Sequence, residues 1–320
     1  MATSGIYNYS RTLNQIASES LELIEAVGDG ETISGDHIDK AKSSLNSLLK
    51  RFQTPGLHTW TETEGTLFLK VGQAEYDFTD SSTHLANTYY ETTSTAATTA
   101  GALSIAVTSI ANIQDGDVIG IIQNDNDLFW TTVNGTPSGL TVNLDAGITL
   151  ATVSGCSIRN YRPGTATVPE LKPVSRITDV RRKEGSDYEI PINFASRQDY
   201  FNLPNKAQTG TPIQAYYSRQ DVAGEDGGRL YVWNSPSSAV PVINFSYERK
   251  IQVMVNLTDT LDAPDYVHEY ILYNLAKMLA LKFGCSVERY QIIKEESMRT
   301  SGEIMAYGTE LYPIKVVMGR

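Results

Sequence analysis

The sequence predicts an α+β protein. An N-terminal helical hairpin and C-terminal helices form a helical bundle, a β-sandwich-like portion lies between them, and a small all-β domain is inserted into that portion. Three observations carry this reading. Apolar residues recur at three- and four-residue spacing near both ends of the chain. Between 65 and 251 the pattern becomes short strand-like runs broken by turn residues. Within that span, 92–162 turns rich in Thr, Ser, Ala, Gly, Val and Ile and poor in basic residues, as an insertion would.

The first helix is read over 4–27, with Leu13, Ile16, Ala17, Leu21, Ile24 and Val27 on one stripe and Gly28-Asp29-Gly30 as its stop. Ser34 or Thr32 caps the second, whose apolar side is Ile38, Ala41, Leu45, Leu48, Leu49 and Phe52 and which Pro55-Gly56 ends. Residues 65–71 read as a strand, Gly72-Gln73 as a turn and 74–78 as the return strand. The insertion carries strands at 103–107, 117–122, 129–133, 141–144 and 156–161, separated by turns such as Asp115-Gly116 and Asn134-Gly135. Further strands follow at 174–182, 188–192, 212–219, 229–233 and 240–251, with Lys183-Glu184-Gly185-Ser186 as a hairpin turn. Ser196 caps a short helix running to Leu203. Asp262 caps a longer one, with Pro264 in its first turn and Gly284 at its end. Ser286 opens the last helix, which ends near Gly302. The domain boundaries are therefore 1–91, 92–162, 163–302 and an apolar tail, 303–320.

Charge narrows the function. A net charge of −11 disfavours a basic nucleic-acid binder that relies on long-range attraction, while leaving room for local basic patches. Cys156 and Cys285 read as two reduced thiols of a cytoplasmic product. No stretch has the order of a signal peptide or the roughly 20 apolar residues of a membrane span, so a soluble protein with no membrane partner is expected.

The chemistry-bearing residues form no recognised catalytic pattern. His37, His58, His84 and His268 lack metal-ligand spacing, and His268-Glu269 is half a zincin motif without its second histidine. Asn124-Asp125-Asn126-Asp127 offers oxygen ligands but lacks the glycine and closing glutamate of a calcium loop, so a turn is expected. Gly224-Glu225-Asp226-Gly227-Gly228 is glycine-rich, yet its carboxylates repel phosphate. Paired carboxylates such as Glu62 and Glu64, alternate on an extended segment, could serve a cell-wall glycosidase. The expectation is a non-enzyme with no cofactor and no metal.

Surface-forming residues say more. The 18 tyrosines include Tyr266, Tyr270 and Tyr273, spaced along one helix face whose neighbours are apolar too. A helix apolar on more than one side suggests burial against another subunit as well as its own core; the alternative is that the tyrosines line the domain core with their hydroxyls at its edge. Lys50-Arg51 and Arg181-Arg182-Lys183 are the main basic clusters. Solvated surface is their plain reading, and DNA contact at Lys50 and Arg51 the sharper one. Trp130 is the only tryptophan of the insertion, which limits a carbohydrate- or receptor-binding role there.

The chain resembles a phage family in several runs: 45–57 (Leu45-Asn46-Ser47-Leu48-Leu49 through Pro55-Gly56-Leu57), Thr61-Glu62-Thr63-Glu64, 71–76, 197–206 with Gly210-Thr211-Pro212, Leu230-Tyr231-Val232-Trp233, Leu261-Asp262-Ala263-Pro264 and Tyr273-Asn274-Leu275-Ala276. Their order is similar to that of the tail accessory, or packaged-DNA-stabilisation, family of short-tailed phages, the head-to-tail adaptors. The resemblance covers most of the chain outside the insertion, which itself is similar to a module of phage neck proteins. It implies a ring, of twelve copies, beneath the portal protein at the head-tail junction of the virion, assembled in the host cytoplasm. Such a ring extends the channel for packaged double-stranded DNA, helps retain the genome and carries downstream tail nozzle or fibre proteins. It further implies that the C-terminal segment docks on the portal, here through Tyr307, Leu311, Tyr312, Val316, Val317 and Arg320.

Overall fold

A computed structural model describes residues 9–28, 30–52, 61–79, 84–163, 171, 173–185, 188–219 and 227–307. The chain divides into two compact units: a helical one from 1–61 and 251–320, and a β-rich one from 62–250. Helices and strands are thus both present and segregated, as an α+β fold requires.

The helical unit contains α1 (Leu13–Leu23), α2 (Gly35–Phe52), α4 (His268–Phe283) and α5 (Val287–Tyr307). α1 begins later than 4; Thr12 and Gln15 form a reciprocal capping box there. Its segment is pinned by Leu13 N–H to the Asp259 carbonyl (2.9 Å) and Leu261 N–H to the Arg11 carbonyl (3.0 Å). Ser34 caps α2, accepting from the His37 N–H at 3.4 Å, and Asp36 and Lys50-Arg51 sit at the helix ends that suit their charges. Asn46 clamps a distant strand of chain by donating to the Met254 carbonyl and accepting from its N–H, both at 2.9 Å. Leu13, Ile16, Leu21, Leu45, Leu49, Ile271, Leu275 and Leu279 share one core, each worth roughly 1.5–3 kcal/mol on burial.

Two sequence expectations are corrected in this unit. Asp262 does not cap α4: its carboxylate accepts from the Gln252 N–H (3.0 Å). Pro264 instead opens a 3-10 turn, Asp265–Val267, and α4 starts at His268. The last helix does not stop near Gly302. It runs to Tyr307 because Ile304, two residues on, is buried and Arg299 bridges Glu303 at 2.6 Å, which outweighs the roughly 1 kcal/mol a mid-helix glycine costs.

The β-rich unit holds β1 (Glu62–Phe68), β2 (Glu75–Phe78), β3 (Leu85–Ala86), β4 (Tyr90–Thr93), β5 (Ser104–Ala106), β6 (Val118–Ile122), β7 (Leu128–Thr132), β8 (Thr141–Asn143) and β9 (Ser157–Tyr161). There follow β10 (Val174–Glu184), β11 (Tyr188–Pro191), β12 (Asn193–Phe194), α3 (Arg197–Phe201), β13 (Thr209–Gly210), β14 (Gln214–Ser218), β15 (Gly228–Trp233), β16 (Ser235–Pro236) and β17 (Val242–Arg249). A five-stranded sheet, β11-β10-β17-β1-β3, and a four-stranded one, β12-β14-β15-β2, contribute alternate residues to a single core. Ile243, Phe245 and Tyr247 come from the first sheet, and Tyr76, Phe78, Ala215, Leu230 and Val232 from the second. Gly65 is required beneath Phe245, because a Cβ there would stand 2.6 Å from the ring.

β1 and β2 do not form the expected hairpin. They lie in different sheets, β1 against β17 and β3, β2 against β15. The connection is longer than the two residues of a tight hairpin. It turns at Gly72 (φ 75°), and the Tyr76 hydroxyl accepts from the Lys70 N–H at 3.0 Å. Leu67 and Tyr76 thereby meet inside the sandwich rather than side by side on one sheet.

Within 92–162 the predicted strands are present to within a residue or two. They form the sheet β4-β9-β6-β7 and the pair β5-β8, around a core of their own that includes Ile105, Ile119, Ile121, Val142 and Ile158. A further cluster, Phe68, Ala86, Ile122, Leu128, Tyr161 and Val242, joins this module to the sandwich. The buried Arg159 fastens the junction, donating to the carbonyls of Ala239 (3.0 Å) and Val240 and pairing with Glu91 at 3.5 Å.

Candidate functional site

Among the described residues, those singled out in the sequence are not brought together in a catalytic constellation. Glu62 and Glu64 stand on the five-stranded sheet, Glu64 held by Arg181 at 3.0 Å and Glu62 accepting from the Thr178 hydroxyl at 3.3 Å. Asp125 and Asp127 build a turn. Asp125 accepts from the Asp127 N–H (3.1 Å), Asp127 from the N–H groups of Val71 (3.1 Å) and Leu128 (2.9 Å), and Asn126 takes a positive φ of 61°. His84 donates from Nε2 to the Asp77 carbonyl, 3.0 Å away, and burial lowers its pKa. His58 and Glu225-Asp226 lie outside the described residues.

The surfaces of the helical unit are more informative. A cleft of about 490 Å³ is lined by Tyr9, Arg11, Tyr266, Glu269 and Glu303. His268 forms part of its wall: it is 1% exposed, and its Nε2 faces the Ala263 carbonyl at 3.2 Å. That carbonyl can only accept, so Nε2 carries the proton and burial holds the ring neutral, its pKa lowered. A second cleft of about 600 Å³ is lined by Leu23, Tyr273, Arg289, Ile292 and Glu296. Arg289 donates to the Leu23 carbonyl at 2.6 Å and pairs with Glu25, the residue at φ 57° that ends α1.

The three tyrosines of the expected interface are therefore distributed. Tyr266 is in the 3-10 turn, 38% exposed in the first cleft; Tyr273 lines the second; Tyr270 packs half-buried against the core. The several apolar sides of α4 have a reason inside the chain, because α1, α2 and α5 all pack on it. On α5, Val287 and Met298 are 72% and 60% exposed on one side of the helix, and Ile292 is 61% exposed on another. Lys50 reaches the Ile251 carbonyl (3.5 Å) and Arg51 is exposed at the end of α2. Tyr307 ends α5; Leu311, Tyr312, Val316, Val317 and Arg320 lie outside the described residues.

On the β-rich unit, Trp130 is not an open platform: its ring packs on Phe68 and Tyr161, with centroids 5.1 and 5.8 Å apart. A cluster the sequence reading missed sits on the four-stranded sheet. Tyr216 and Tyr231 stack at 5.8 Å and 22°, with Tyr200 and Phe201 of α3 against them and Lys206 over both α3 rings. Its signal was Tyr216-Tyr217 on one strand and Tyr231 on the next, both strands that the sequence had already marked.

No protein-family model and no curated protein matches the chain. Among solved structures, a tailspike of the Acinetobacter baumannii bacteriophage AP22, solved with a capsular saccharide, matches at 19% identity and a TM-score of 0.22. The match covers 24% of this chain and 15% of the tailspike. An overlap that small defines no common fold.

Proposed function

We propose that the chain is a structural protein of a phage particle, a head-to-tail adaptor that forms a ring beneath the portal, extends the DNA channel and carries later tail proteins. The observation that carries this reading is the exposed apolar pair Val287 and Met298 on α5. The two fall within about 20° of one another around the helix at roughly 100° per residue, while Ile293, Ser297, Thr300 and Ile304 occupy the buried side. Large apolar residues at 72% and 60% exposure are the kind of surface that association covers. Side-by-side packing of copies would generate the head-to-tail contacts from which rings close. The resemblance of the ordered runs between 45 and 276 supplies the family, and with it the portal, the twelvefold count and the docking role of 303–320.

Native mass spectrometry of the intact protein, alone and with a portal ring, tests the reading. A discrete ring-sized complex with the portal supports it. A protein that remains monomeric and ignores the portal refutes it.

A second reading, a saccharide-binding surface, is favoured by the aromatic cluster on the four-stranded sheet. Phe201 is 49% exposed beside the Tyr216-Tyr231 stack, and Arg229, bound to Asp77 and Glu75, borders it with charged hydrogen-bonding groups. Aromatic faces ringed by polar groups suit sugars. Loss of glycan-array binding in Phe201→Ala and Tyr231→Ala would favour this reading; no binding by the wild type removes it.

A further inference from the structure

We infer that the α2–α4 seam of the helical unit, extended by Lys294 of α5, is a binding surface for the phosphate backbone of double-stranded nucleic acid. The chain carries 37 acidic and 26 basic side chains, so most cations should find carboxylates. Five along this seam do not. Lys40, Arg51, Lys277, Lys282 and Lys294 make no ion pair among the described residues, whereas Arg11, Arg159, Arg176, Arg181, Arg229, Arg289 and Arg299 all do.

The seam is built by two antiparallel helices. Lys40, on the first half of α2, lies over the Phe283 ring at the end of α4, 5.1 Å from its centroid. Lys282 donates to the Ser44 hydroxyl at 2.7 Å. Lys277 crosses to α5 and donates to the Ser297 hydroxyl at 2.8 Å. Arg51 and Lys294 stand close enough to Lys277 that, after burial, both charges push its pKa down. The partners of these ammonium groups are a π face and neutral hydroxyls, which orient a cation without neutralising it. Among the described residues, the carboxylate paired on this part of α2 is Asp39, with Lys42 at 3.5 Å.

Like charges held together repel one another, so the cluster is an electrostatic cost that an anion would offset. From Lys40 to Arg51 the cations span about 16 Å of helix. A duplex strand offers a phosphate about every 3.4 Å of rise, so several lie within that reach. The side chains that meet it are ammonium and guanidinium groups on helix surfaces with no groove-entering element among them, so the contact is to backbone and carries no sequence preference. In a chain of net charge −11, such binding is weak and salt-sensitive, which suits a surface that DNA moves past. The inference adds a phosphate contact to the adaptor reading but stands on the cation cluster alone, in the isolated protein.

The test is fluorescence anisotropy of a labelled duplex of about 20 base pairs with the full chain at stepped NaCl concentrations. Arg51→Gln/Lys294→Gln, two changes at the protein surface, should lower the slope of log affinity against log salt by about 1.8, two cations at about 0.9 each. Arg299→Gln, which removes a cation already paired with Glu296 and Glu303, should leave the slope unchanged. Circular dichroism of each variant establishes that the helices are intact. Absence of duplex binding by the wild type overturns the inference, as does a slope that the double variant does not alter. Binding to phosphatidylglycerol vesicles with no binding to duplex also overturns it. None of these results bears on ring formation, which the portal experiment decides separately.

Discussion

Ser297→Ala probes how the seam is supported from beneath. Ser297 is 1% exposed; it accepts from Lys277 Nζ at 2.8 Å and donates to Asn274 Oδ1 at 3.2 Å. Asn274 is itself buried, its Nδ2 committed to the Tyr270 carbonyl at 2.9 Å. Removing the hydroxyl strands two groups: an acceptor in the core, and an ammonium already opposed by Arg51 and Lys294. A hydrogen bond to a charged group contributes about 1.5–3 kcal/mol, and a stranded neutral acceptor costs about 1–3. The expected loss is about 2–4 kcal/mol, less where water enters. Lys277→Met removes the ammonium and its like-charge repulsion while keeping the packing of its stem. In that background Ser297→Ala should cost only the acceptor penalty, leaving a coupling of about 1–2 kcal/mol between the two sites. Urea unfolding of all four proteins, followed by circular dichroism at a helical wavelength, reports on the helical unit. An equal cost of Ser297→Ala in both backgrounds would refute the proposed support.

Gly65→Val should destabilise the sandwich by about 1–3 kcal/mol through overpacking, since its Cβ would meet Phe245 at 2.6 Å and Leu171 at 3.1 Å. The fluorescence of Trp130 and Trp233, both in the β-rich unit, follows that loss in urea. His84 and His268 both have pKa values lowered from 6.5, chiefly by burial. The unfolded chain therefore binds more protons than the native one between each lowered value and 6.5, and stability rises with pH across that window. The contribution is complete above 6.5 and falls away as pH drops through 6.5 toward the native values. Thermal midpoints measured from pH about 7.5 to about 5 should decline on this account, and His84→Gln with His268→Gln should flatten part of the decline. An unchanged pH profile in the double variant would count against both burial arguments.

Legibility in the sequence followed the range of the interactions concerned. The stripes of α1 and α2 were readable because a helix needs only its own periodicity. The strands of the inserted module were readable because turns such as Asp115-Gly116 and Asn134-Gly135 punctuate them at short range. The sandwich pairing was not, because β1 finds its partner in β17: Thr66 and Asn244, whose side chains bond at 3.0 Å, are 178 residues apart. The same limit hid the cation cluster. Lys50-Arg51 stood out as neighbours in sequence, but Lys277 and Lys294 are isolated charges until α4 and α5 bring them beside Arg51. The apolar residues on several sides of α4 suggested burial against another subunit as well as the chain's own core, and α1, α2 and α5 supply the core part of that cover. On α5 the exposed Val287 and Met298 are spread too thinly among charges to register as a stripe.

Lys294 borders both proposed surfaces, which makes them separable by experiment. Around α5 it lies about 20° from Val287 and about 40° from Met298 at roughly 100° per residue. Its ammonium nonetheless belongs with Arg51 and Lys277 across the seam. Met298→Glu places a charge in the apolar pair and should abolish the portal-dependent ring while leaving the salt slope of duplex binding as it is. Arg51→Gln lies on α2, away from that pair, and should lower the slope by about 0.9 with ring formation unaffected. Lys294→Glu should impair both. Mass spectrometry on the portal and anisotropy on the duplex read the two properties independently. If Met298→Glu and Arg51→Gln each impair both properties, one surface serves both. Phosphate contact and self-association would then compete for the same residues, and linkage would require each to weaken the other by the same factor.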